Sequence, residues 1–439
     1  MQFGTSGIRG VFAEQIRVND VLDLASAVTE VLGNGRYVIG NDTRRSCDLL
    51  ARAIVAGLCY NGNDVGYLGV VPTPVLAYTT WKGNYKTGFS ITASHNPPQF
   101  AGIKLFDDNG MGFEVSKERA IEMHLTNSKF STNPSMFNND ELAINNYTSE
   151  VTKSVPDTSK KLKILVECAN GAASDITASI LEELGHDVIS LNCHKSHLFL
   201  GRGPEPIRVN LLQVIELTKS LGVDLAIVHD GDADRLVLIT RDGILVPDYA
   251  LSYMMLDILL AGRKGDVVIS INTSNQVERL ALMNGCRVTR YRLGKTYEEL
   301  RRRDGVYGTE PSKVVDPTWG YWEDGIYTAV TLVQYISSKG ITLEQMLGDV
   351  PKTFYNQVNL EVQKYNYSEV KTKALNRFRG KGILEIQEID GLRIVFKNNS
   401  WILFRSSGTE QKVRVYSEST LEKESLQLIE DGRGILGIN

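Results

Sequence analysis

The sequence predicts an α/β protein with three related domains, each built on a mixed or parallel sheet, and a smaller C-terminal α+β domain. Two observations predict this. A strand–helix–strand unit occurs three times, and the hydrophobic pattern changes after residue 353. Such units imply neighbouring parallel strands with helices on the faces of the sheet. Because the copies are about 100 residues apart, they indicate separate domains and not a solenoid.

Each copy has the same order of elements. The first has predicted strands at 37–40 and 65–68 around a helix that ends near Tyr60. The second has strands at 162–168 and 188–191, and the third has strands at 267–271 and 288–291. In each copy a short polar turn can cap the start of the helix, and a glycine can end it. These glycines are Gly62, Gly185 and Gly285.

Composition predicts where the domains meet. Residues 127–160 are rich in Asn, Ser, Thr and Lys, which predicts a link between the first two units. After residue 353, short alternating apolar runs predict the α+β domain. We therefore expect domains at 1–148, 149–247, 248–353 and 354–439.

Charge and composition exclude several classes of function. The chain has 439 residues and a net charge of −4, which offers no general attraction to nucleic acid or to an anionic membrane. It shows no apolar run of membrane-spanning length and no signal peptide, so we expect a cytoplasmic protein that binds a small molecule. The sequence leaves open whether it is a monomer or a homodimer.

The cysteines are five in number and widely spaced, which predicts reduced thiols and not a disulfide framework. Cys193, His194 and His197 could form half of a metal site. The sequence offers no second cluster to complete it.

The segment 92–98 carries the first candidate catalytic residue. Ser94 follows a predicted strand over 88–92, and His95 is adjacent to it. Pro97 and Pro98 stiffen the loop, because proline fixes φ and lacks an amide hydrogen. A hydroxyl beside an imidazole on a stiff loop suits a nucleophile or a residue that carries a covalent group. An ordinary proline-stopped surface loop is the alternative.

A second loop predicts a metal site. Asp230, Asp232 and Asp234 follow an apolar strand at 225–228, and Arg235 comes next. Three carboxylates at alternate positions can converge on one hard cation such as Mg²⁺. The spacing also resembles the start of a calcium loop, but Arg241 occupies the position of the final acidic ligand. The remaining alternative is a solvated acidic turn.

Three further turns carry weaker signals. Residues 405–410, with Arg414 nearby, combine arginine, hydroxyl groups and glycine in a plausible phosphate cradle. Residues 308–312 contain Glu310 and Ser312, which could hold sugar hydroxyls. The glycine-rich turn 3–10 contains Arg9, and Lys104 adds a cation ten residues after Ser94.

Together these stretches closely resemble the α-D-phosphohexomutase family, which includes phosphoglucomutase/phosphomannomutase and phosphoglucosamine mutase. The resemblance rests on FGTSGIRG at 3–10, TASHNPP at 92–98, DGDADR at 230–235, GTEPS at 308–312 and RSSGTE at 405–410. It covers nearly the whole chain. It implies four domains around a central cleft, three of them related.

The resemblance also implies roles for individual residues. Ser94 resembles the phosphoserine, and Asp230, Asp232 and Asp234 resemble ligands of a Mg²⁺ ion that a phosphoryl oxygen of Ser94 completes. Charged groups around the transferring phosphoryl are implied at Arg9, His95 and Lys104, with Lys104 as general acid/base. Substrate-binding residues are implied at Arg235, Glu310 and Ser312, and a clamp for the other phosphate at Arg405, Ser407, Gly408, Thr409 and Arg414.

The sequence departs from the family pattern at three positions. Lys313 and Val314 follow the sugar turn where relatives commonly have Gly-His, Gln411 replaces a proline, and Ala101 replaces an asparagine. The first departure affects the expected sugar specificity. None removes a group that the chemistry requires.

The resemblance implies a mutase that interconverts hexose 1-phosphate and hexose 6-phosphate, with a hexose 1,6-bisphosphate as intermediate and activator. Glucose and mannose phosphates are the expected substrates, and glucosamine phosphate is the alternative. Two other classes remain open: a Mg²⁺-dependent sugar phosphatase, in which water discharges the phosphoserine, and a non-catalytic sugar-phosphate sensor. The intact nucleophile and aspartates argue against the sensor.

Overall fold

A computed structural model describes residues 1–125, 134–362, 365–406 and 412–438. In these ranges it has four sheets, three in α/β units and one antiparallel sheet near the C-terminus. The predicted fold class is confirmed. No helix of the described ranges has both the length and the apolar character needed to cross a membrane.

The first sheet has six strands. Its elements are β1 (Ile8–Val11), α1 (Val18–Leu32), β2 (Arg36–Asn41), α2 (Arg45–Tyr60), β3 (Asp64–Val70), α3 (Thr73–Lys82), β4 (Thr87–Ile91), β5 (Phe100–Asp107), α4 (Val115–His124), β6 (Phe137–Asn139) and α5 (Ala143–Ser154). The strand order is β1-β5-β4-β2-β3-β6, and β5 is antiparallel to both of its neighbours. Tyr37 and Ile39 of β2 face a core with α1 and α2, whereas Val38 faces the opposite core with α3.

The predicted link between the first two units contains regular structure. β6 and α5 lie within it, and residues 126–133 lie outside the described ranges. Ala143, Tyr147 and Val151 of α5 are buried at a spacing of four residues, which is the apolar stripe of an amphipathic helix. Because this segment is mostly polar, its composition did not indicate the helix.

The second and third sheets have four strands each. The second unit contains β7 (Lys163–Glu167), α6 (Ile176–Glu183), β8 (Asp187–Leu191), a 3-10 turn (Arg208–Asn210), α7 (Leu212–Ser220), β9 (Leu225–Val228) and β10 (Val237–Thr240). The third contains α8 (Asp248–Leu260), β11 (Asp266–Ser270), α9 (Asn275–Met283), β12 (Arg287–Tyr291), α10 (Thr296–Arg302), β13 (Tyr307–Glu310), β14 (Lys313–Val315), α11 (Gly325–Lys339) and α12 (Leu343–Asp349). Their strand orders are β10-β9-β7-β8 and β12-β11-β13-β14.

The predicted glycine stops and polar caps differ in outcome. Gly62, Gly185 and Gly285 all have positive φ, as expected of residues just beyond a helix. Ser274 caps α9, because its side chain accepts a hydrogen bond from the amide of Gln276. The polar turns before α2 and α6 supply no side-chain cap to those helices. In the first copy, the Asp42 side chain instead forms an ion pair with Arg44.

The last sheet is antiparallel and packs against the third unit. Its elements are β15 (Phe354–Glu361), α13 (Tyr367–Phe378), β16 (Ile383–Gln387), β17 (Leu392–Phe396), β18 (Trp401–Ser406), β19 (Lys412–Ser419) and α14 (Glu422–Ile435), with the strand order β15-β19-β18-β17-β16. One face packs against α13 and α14. On the other face, Trp401 and Tyr416 form a small core with Ile271 of the third unit.

Each candidate loop lies at the end of a strand. The loop with Ser94 follows β4, the aspartate loop follows β9, and the turn with Glu310 and Ser312 joins β13 to β14. The aspartate loop reaches the first unit, because the amide of Thr73 donates to the carbonyl of Asp232 at 3.0 Å. The turn between β13 and β14 contacts the end of the aspartate loop, because the amide of Leu236 donates to the carbonyl of Ser312 at 2.9 Å.

Candidate active site

Ser94 lies in a conformation that the surrounding loop fixes. Its φ is +51°, in the left-handed region that residues other than glycine seldom adopt. The Ser94 amide donates to Thr92 Oγ1 at 2.9 Å, and the Ser94 carbonyl accepts from Arg44 Nη2 at 2.9 Å. A residue keeps such an unfavourable backbone conformation only where several surrounding contacts fix it. These contacts therefore aim the Ser94 hydroxyl, in addition to the stiffness that Pro97 and Pro98 supply.

Asp42 and Arg44 form the support behind this loop, although the sequence pattern predicted no functional role for them. Both side chains are fully buried and form an ion pair. Arg44 also donates to the carbonyl of Asn96, and Asp42 accepts from Thr92 Oγ1 at 2.7 Å. Asp42-Thr43-Arg44 follows β2, the parallel neighbour of β4. That position, at the same sheet edge as Ser94, is the signal that could have found them.

The three aspartates of the second loop converge. One ligand atom from each of Asp230, Asp232 and Asp234 lies within 4.8 Å of the others, and all three residues are buried. Between them, Ala233 has a φ of +57°, which lets the loop turn sharply. The Oδ1 atom of every one of these aspartates is buried and has no hydrogen-bond partner. Buried carboxylate oxygens without partners are costly unless a cation binds them.

The other oxygens of the aspartates have protein partners. Ser94 Oγ donates to Asp230 Oδ2 at 2.7 Å, and Thr73 Oγ1 donates to Asp232 Oδ2 at 2.6 Å. The aspartates are thus oriented by their Oδ2 atoms while their Oδ1 atoms remain for a ligand. Three hard oxygen donors of this kind fit Mg²⁺.

Two lysines flank the aspartates. Lys104 Nζ, on β5, lies 2.6 Å from Asp232 Oδ2 and 2.7 Å from Asp234 Oδ2. Lys313 Nζ lies 2.8 Å from Asp234 Oδ2 and 3.8 Å from Glu323. The family departure at position 313 therefore places a second ammonium group beside the metal loop. Although burial opposes the charged form, Asp234 and Glu323 raise the pKa of Lys313 above its ordinary value.

The aspartates differ in their protonation. Burial, followed by the charges of Asp232 and Asp234, raises the pKa of Asp230 to about 7. Burial also acts against the charge of Asp234, but Lys104 and Lys313 hold its pKa well below the ordinary value. Three carboxylates in one buried site cannot all ionise cheaply without a cation. This electrostatic imbalance is a second observation that fits a bound divalent ion.

His95, Arg9 and Arg235 surround Ser94. His95 Nδ1 lies 3.3 Å from Ser94 Oγ and 2.9 Å from Arg235 Nη2, and Arg9 Nη1 donates to Asn96 Oδ1 at 3.2 Å. Because a guanidinium only donates, Nδ1 is the accepting nitrogen and Nε2 carries the proton. Burial and the two arginines hold the pKa of His95 well below its ordinary value. The lowered pKa of His95 favours a neutral imidazole over the charged group that the family resemblance implied.

The β13–β14 hairpin carries Glu310 and Ser312. Glu310 Oε1 accepts from the amide of Gly294 at 2.7 Å and from Thr296 Oγ1 at 2.9 Å, so it also fixes the start of α10. Ser312 Oγ donates to Asp248 Oδ1 at 2.7 Å. Burial, followed by the charge of Glu323, raises the pKa of Glu310 to about 7.

The C-terminal domain brings an arginine to the N-terminal turn. Arg405 Nη2 donates to Thr5 Oγ1 at 3.3 Å, and Arg405 Nε donates to Asp390 Oδ2 at 2.7 Å. Arg414 is the cross-strand partner of Arg405. A cavity of about 240 Å³ beside Arg405 is also lined by Arg292. The remaining predicted clamp residues, Ser407, Gly408 and Thr409, lie outside the described residues.

The other metal hypothesis has no support in the structure. Among the residues that the structure describes, the three aspartates are the one group of three or more candidate ligands that converges. Cys193, His194 and His197 do not form such a group. His194 instead accepts the side-chain amide of Asn170 through its carbonyl, at 3.0 Å.

The chain matches family models along nearly its whole length. They are described as phosphoglucomutase/phosphomannomutase domain I (residues 1–132), domain II (145–243), domain III (247–354) and the C-terminal domain (358–432).

Individual relatives agree with these models. A Methanopyrus kandleri protein named as a probable phosphoglucosamine mutase is 33% identical, covering 97% of this chain and 95% of its own. A Thermococcus kodakarensis phosphopentomutase is 34% identical, covering 98% and 96%. A Thermus thermophilus structure named as a phosphomannomutase has a TM-score of 0.86 at 26% identity, covering 100% of this chain and 99% of its own. This chain therefore belongs to the phosphoglucomutase/phosphomannomutase, or α-D-phosphohexomutase, family of isomerases.

Proposed function

We propose that this protein interconverts hexose 1-phosphates and hexose 6-phosphates through a phosphorylated Ser94 and a hexose 1,6-bisphosphate. The observation that carries the proposal is the contact of 2.7 Å between Ser94 Oγ and Asp230 Oδ2, in a cluster whose three Oδ1 atoms are buried without partners. A hydroxyl held beside a cation site on a fixed loop suits a phosphoryl carrier.

The proposed cation is Mg²⁺. Its ligands would be the Oδ1 atoms of Asp230, Asp232 and Asp234, together with a phosphoryl oxygen on Ser94. When bound, Mg²⁺ supplies positive charge that stabilises the transferring phosphoryl group.

The surrounding side chains have separate proposed roles. Lys104, which contacts Asp232 and Asp234, is the proposed general acid/base for the sugar hydroxyl. Arg9 supplies positive charge to the phosphoryl oxygens. His95 lies beside Ser94, with Nδ1 3.3 Å from Ser94 Oγ, and Arg235, which donates to His95, binds the substrate.

A second region would hold the phosphate that is not transferred. We assign it to Arg405 and Arg414 with Ser407, Gly408 and Thr409. Arg405 supports this, because it donates to Thr5 in the N-terminal turn, which precedes β1 with Arg9. Since the bisphosphate must turn over between the two transfers, this clamp has to accept either end of the sugar. Glu310 and Ser312 are proposed to bind the sugar hydroxyls.

Glucose and mannose phosphates are the proposed substrates, and glucosamine phosphate is the second candidate. The Methanopyrus relative named above favours the second candidate. The phosphatase and sensor alternatives have no counterpart among the relatives named above.

The test compares wild type with Ser94→Ala in Mg²⁺ and a trace of hexose bisphosphate. The panel contains the 1-phosphates of glucose, mannose, glucosamine and ribose, scored for isomerised phosphate and for free phosphate. We expect 6-phosphates from wild type and nearly none from Ser94→Ala. Ser220→Ala, on the exposed end of α7, is the matched control. Dominant release of free phosphate, or a fully active Ser94→Ala, would contradict the proposal.

A further inference from the structure

Cys168 and Cys193 lie side by side at the ends of two neighbouring parallel strands. Cys168 follows β7 and Cys193 lies two residues beyond β8, where the register pairs Glu167 with Leu191. The two Sγ atoms are 2.7 Å apart. We propose that Cys168 and Cys193 form a reversible disulfide, so that the second domain contains an oxidisable dithiol site for small-molecule disulfides.

The positions of the thiols fit a bond without movement of the strands. The amide of Cys168 donates to the carbonyl of Leu191 at 3.2 Å, and Cys193 Sγ lies 3.4 Å from the carbonyl of Val166. The first of these contacts, together with the bond of 2.7 Å from the Asn170 amide to the Asn192 carbonyl, holds the two segments at the separation of adjacent strands, which is within the range that a disulfide spans. All five cysteines are free in the structure, as predicted, and the proposed bond would form under oxidising conditions.

The two thiols differ in access, which sets the order of the reaction. Cys168 is fully buried, whereas Cys193 is partly exposed. The hydrogen bond from Cys193 and burial both raise the pKa of Cys168, so Cys168 stays protonated while Cys193 reacts first.

In the first step the Cys193 thiolate attacks a small-molecule disulfide, and one small thiolate leaves. Cys168 then loses its proton and its thiolate attacks Cys193 Sγ, so that the second small thiolate leaves. The two departing thiolates take up the two cysteine protons. The cysteine pair is oxidised by two electrons, and the small disulfide is reduced to two thiols.

The pair lies behind the aspartate loop. Asn170, two residues after Cys168, binds the carbonyl of Asn192 through its amide at 2.7 Å. Ala172 donates its amide to the carbonyl of Gly231 at 2.9 Å, and Gly231 lies between the first two aspartates. A disulfide would close a covalent loop between residues 168 and 193, in the segment that contacts the aspartate loop. We expect oxidation to stabilise the folded protein, because a cross-link constrains the unfolded chain.

The experiment treats the full-length protein with glutathione disulfide or with dithiothreitol. Intact mass and non-reducing peptide mapping report the cross-link, and thermal unfolding reports stability. We expect a loss of two hydrogens, one peptide pair that joins Cys168 to Cys193, and an unfolding midpoint about 5 °C higher in the oxidised protein. Dithiothreitol should reverse all three.

Two variants complete the experiment. Cys193→Ser, at a partly exposed position, should remove both the cross-link and the shift in midpoint. Cys59→Ser, at a partly exposed cysteine in α2, should leave both unchanged. A stable glutathione adduct on Cys193, an absence of the joined peptides, or an equal midpoint for oxidised and reduced protein would each overturn the proposal. None of these readouts depends on the proposed mutase activity.

Discussion

Gly231 and Ser94 are in direct backbone contact across the boundary between the first two domains. A Cβ atom placed on Gly231 would lie 2.6 Å from the carbonyl oxygen of Ser94. That separation is too short for any side chain, and the obstacle is backbone. The absence of a side chain at Gly231 therefore lets the aspartate loop approach the serine loop closely enough for Ser94 Oγ to reach Asp230.

Gly231→Ala should separate the two loops. We expect the mutase rate to fall by about 100-fold or more, because a displacement of about 1 Å in a catalytic group has an effect of that size. Steady-state kinetics with hexose 1-phosphate measures it. Gly348→Ala is the control, since Gly348 lies in α12 with open space around it. A Gly231→Ala enzyme with wild-type kinetics would show that the contact is not needed.

Arg44→Lys should uncouple Ser94 from its support. Lysine keeps the charge but loses the planar fork, in which Nη1 pairs with Asp42 while Nη2 donates to the carbonyls of Ser94 and Asn96. We expect the free energy of unfolding to fall by about 2–4 kcal/mol, as for a broken buried network. We also expect kcat to fall with little change in KM, because Arg44 acts on the substrate only through the serine loop.

Denaturant unfolding and steady-state kinetics measure these two effects. Arg52→Lys is the control, because Arg52 pairs with Asp48 at the surface, where the Arg52 side chain is 65% exposed. Such pairs contribute at most about 1 kcal/mol. Equal losses of stability in the two variants would remove the special role of Arg44.

The sequence was sufficient for features that are local. Apolar runs and helix-ending glycines predicted the three repeated units, since strand and helix periods and positive φ at Gly62 or Gly185 are properties of a few adjacent residues. Alternate aspartates after a strand likewise predicted the cluster that the structure brings together.

Features that depend on contacts between distant residues could not be predicted in this way. Arg44 acts on Ser94, which is 50 residues away, and only the parallel pairing of β2 with β4 brings them together. In the sequence, Lys313 is only a departure from the family pattern. The fold places its ammonium group 2.8 Å from Asp234 Oδ2, and the sequence did not predict that contact. The lowered pKa of His95 depends on its burial and then on Arg235 and Arg9, which come from the aspartate loop and from β1.

Divalent cations should stabilise the folded protein. Because the Oδ1 atoms of the three aspartates are buried without partners, a cation that binds them binds the folded state alone. At 100 times its dissociation constant it adds about 2.7 kcal/mol to the free energy of unfolding. Thermal unfolding with Mg²⁺ and with a chelator measures this effect.

Asp232→Asn should reduce this metal-dependent shift strongly, because it removes one negative charge from the site. Asp187→Asn, at the exposed start of β8, is the control and should keep the full shift. If chelator and Mg²⁺ gave the same midpoint for wild type, the aspartate cluster would not be a metal site.

Glu310 should make stability depend on pH. Its pKa is raised from an ordinary 4.5 to about 7, chiefly by burial and then by the charge of Glu323. Between these two values the folded protein holds a proton that the unfolded chain has released. The free energy of unfolding therefore falls as pH rises from about 4.5 to about 7, and this contribution is constant above that range.

Glu310→Gln isolates the effect, since glutamine keeps an oxygen for Gly294 and Thr296 but does not titrate. The stability of Glu310→Gln relative to wild type should rise by about 3 kcal/mol between pH 4.5 and pH 7.5. Denaturant unfolding of both proteins at the two pH values measures the change, and titration of groups that do not interact with Glu310 cancels in the comparison. Glu361→Gln, at an exposed position on β15, should show no such change. A constant difference between wild type and Glu310→Gln would mean that Glu310 ionises in the folded protein as readily as in the unfolded chain.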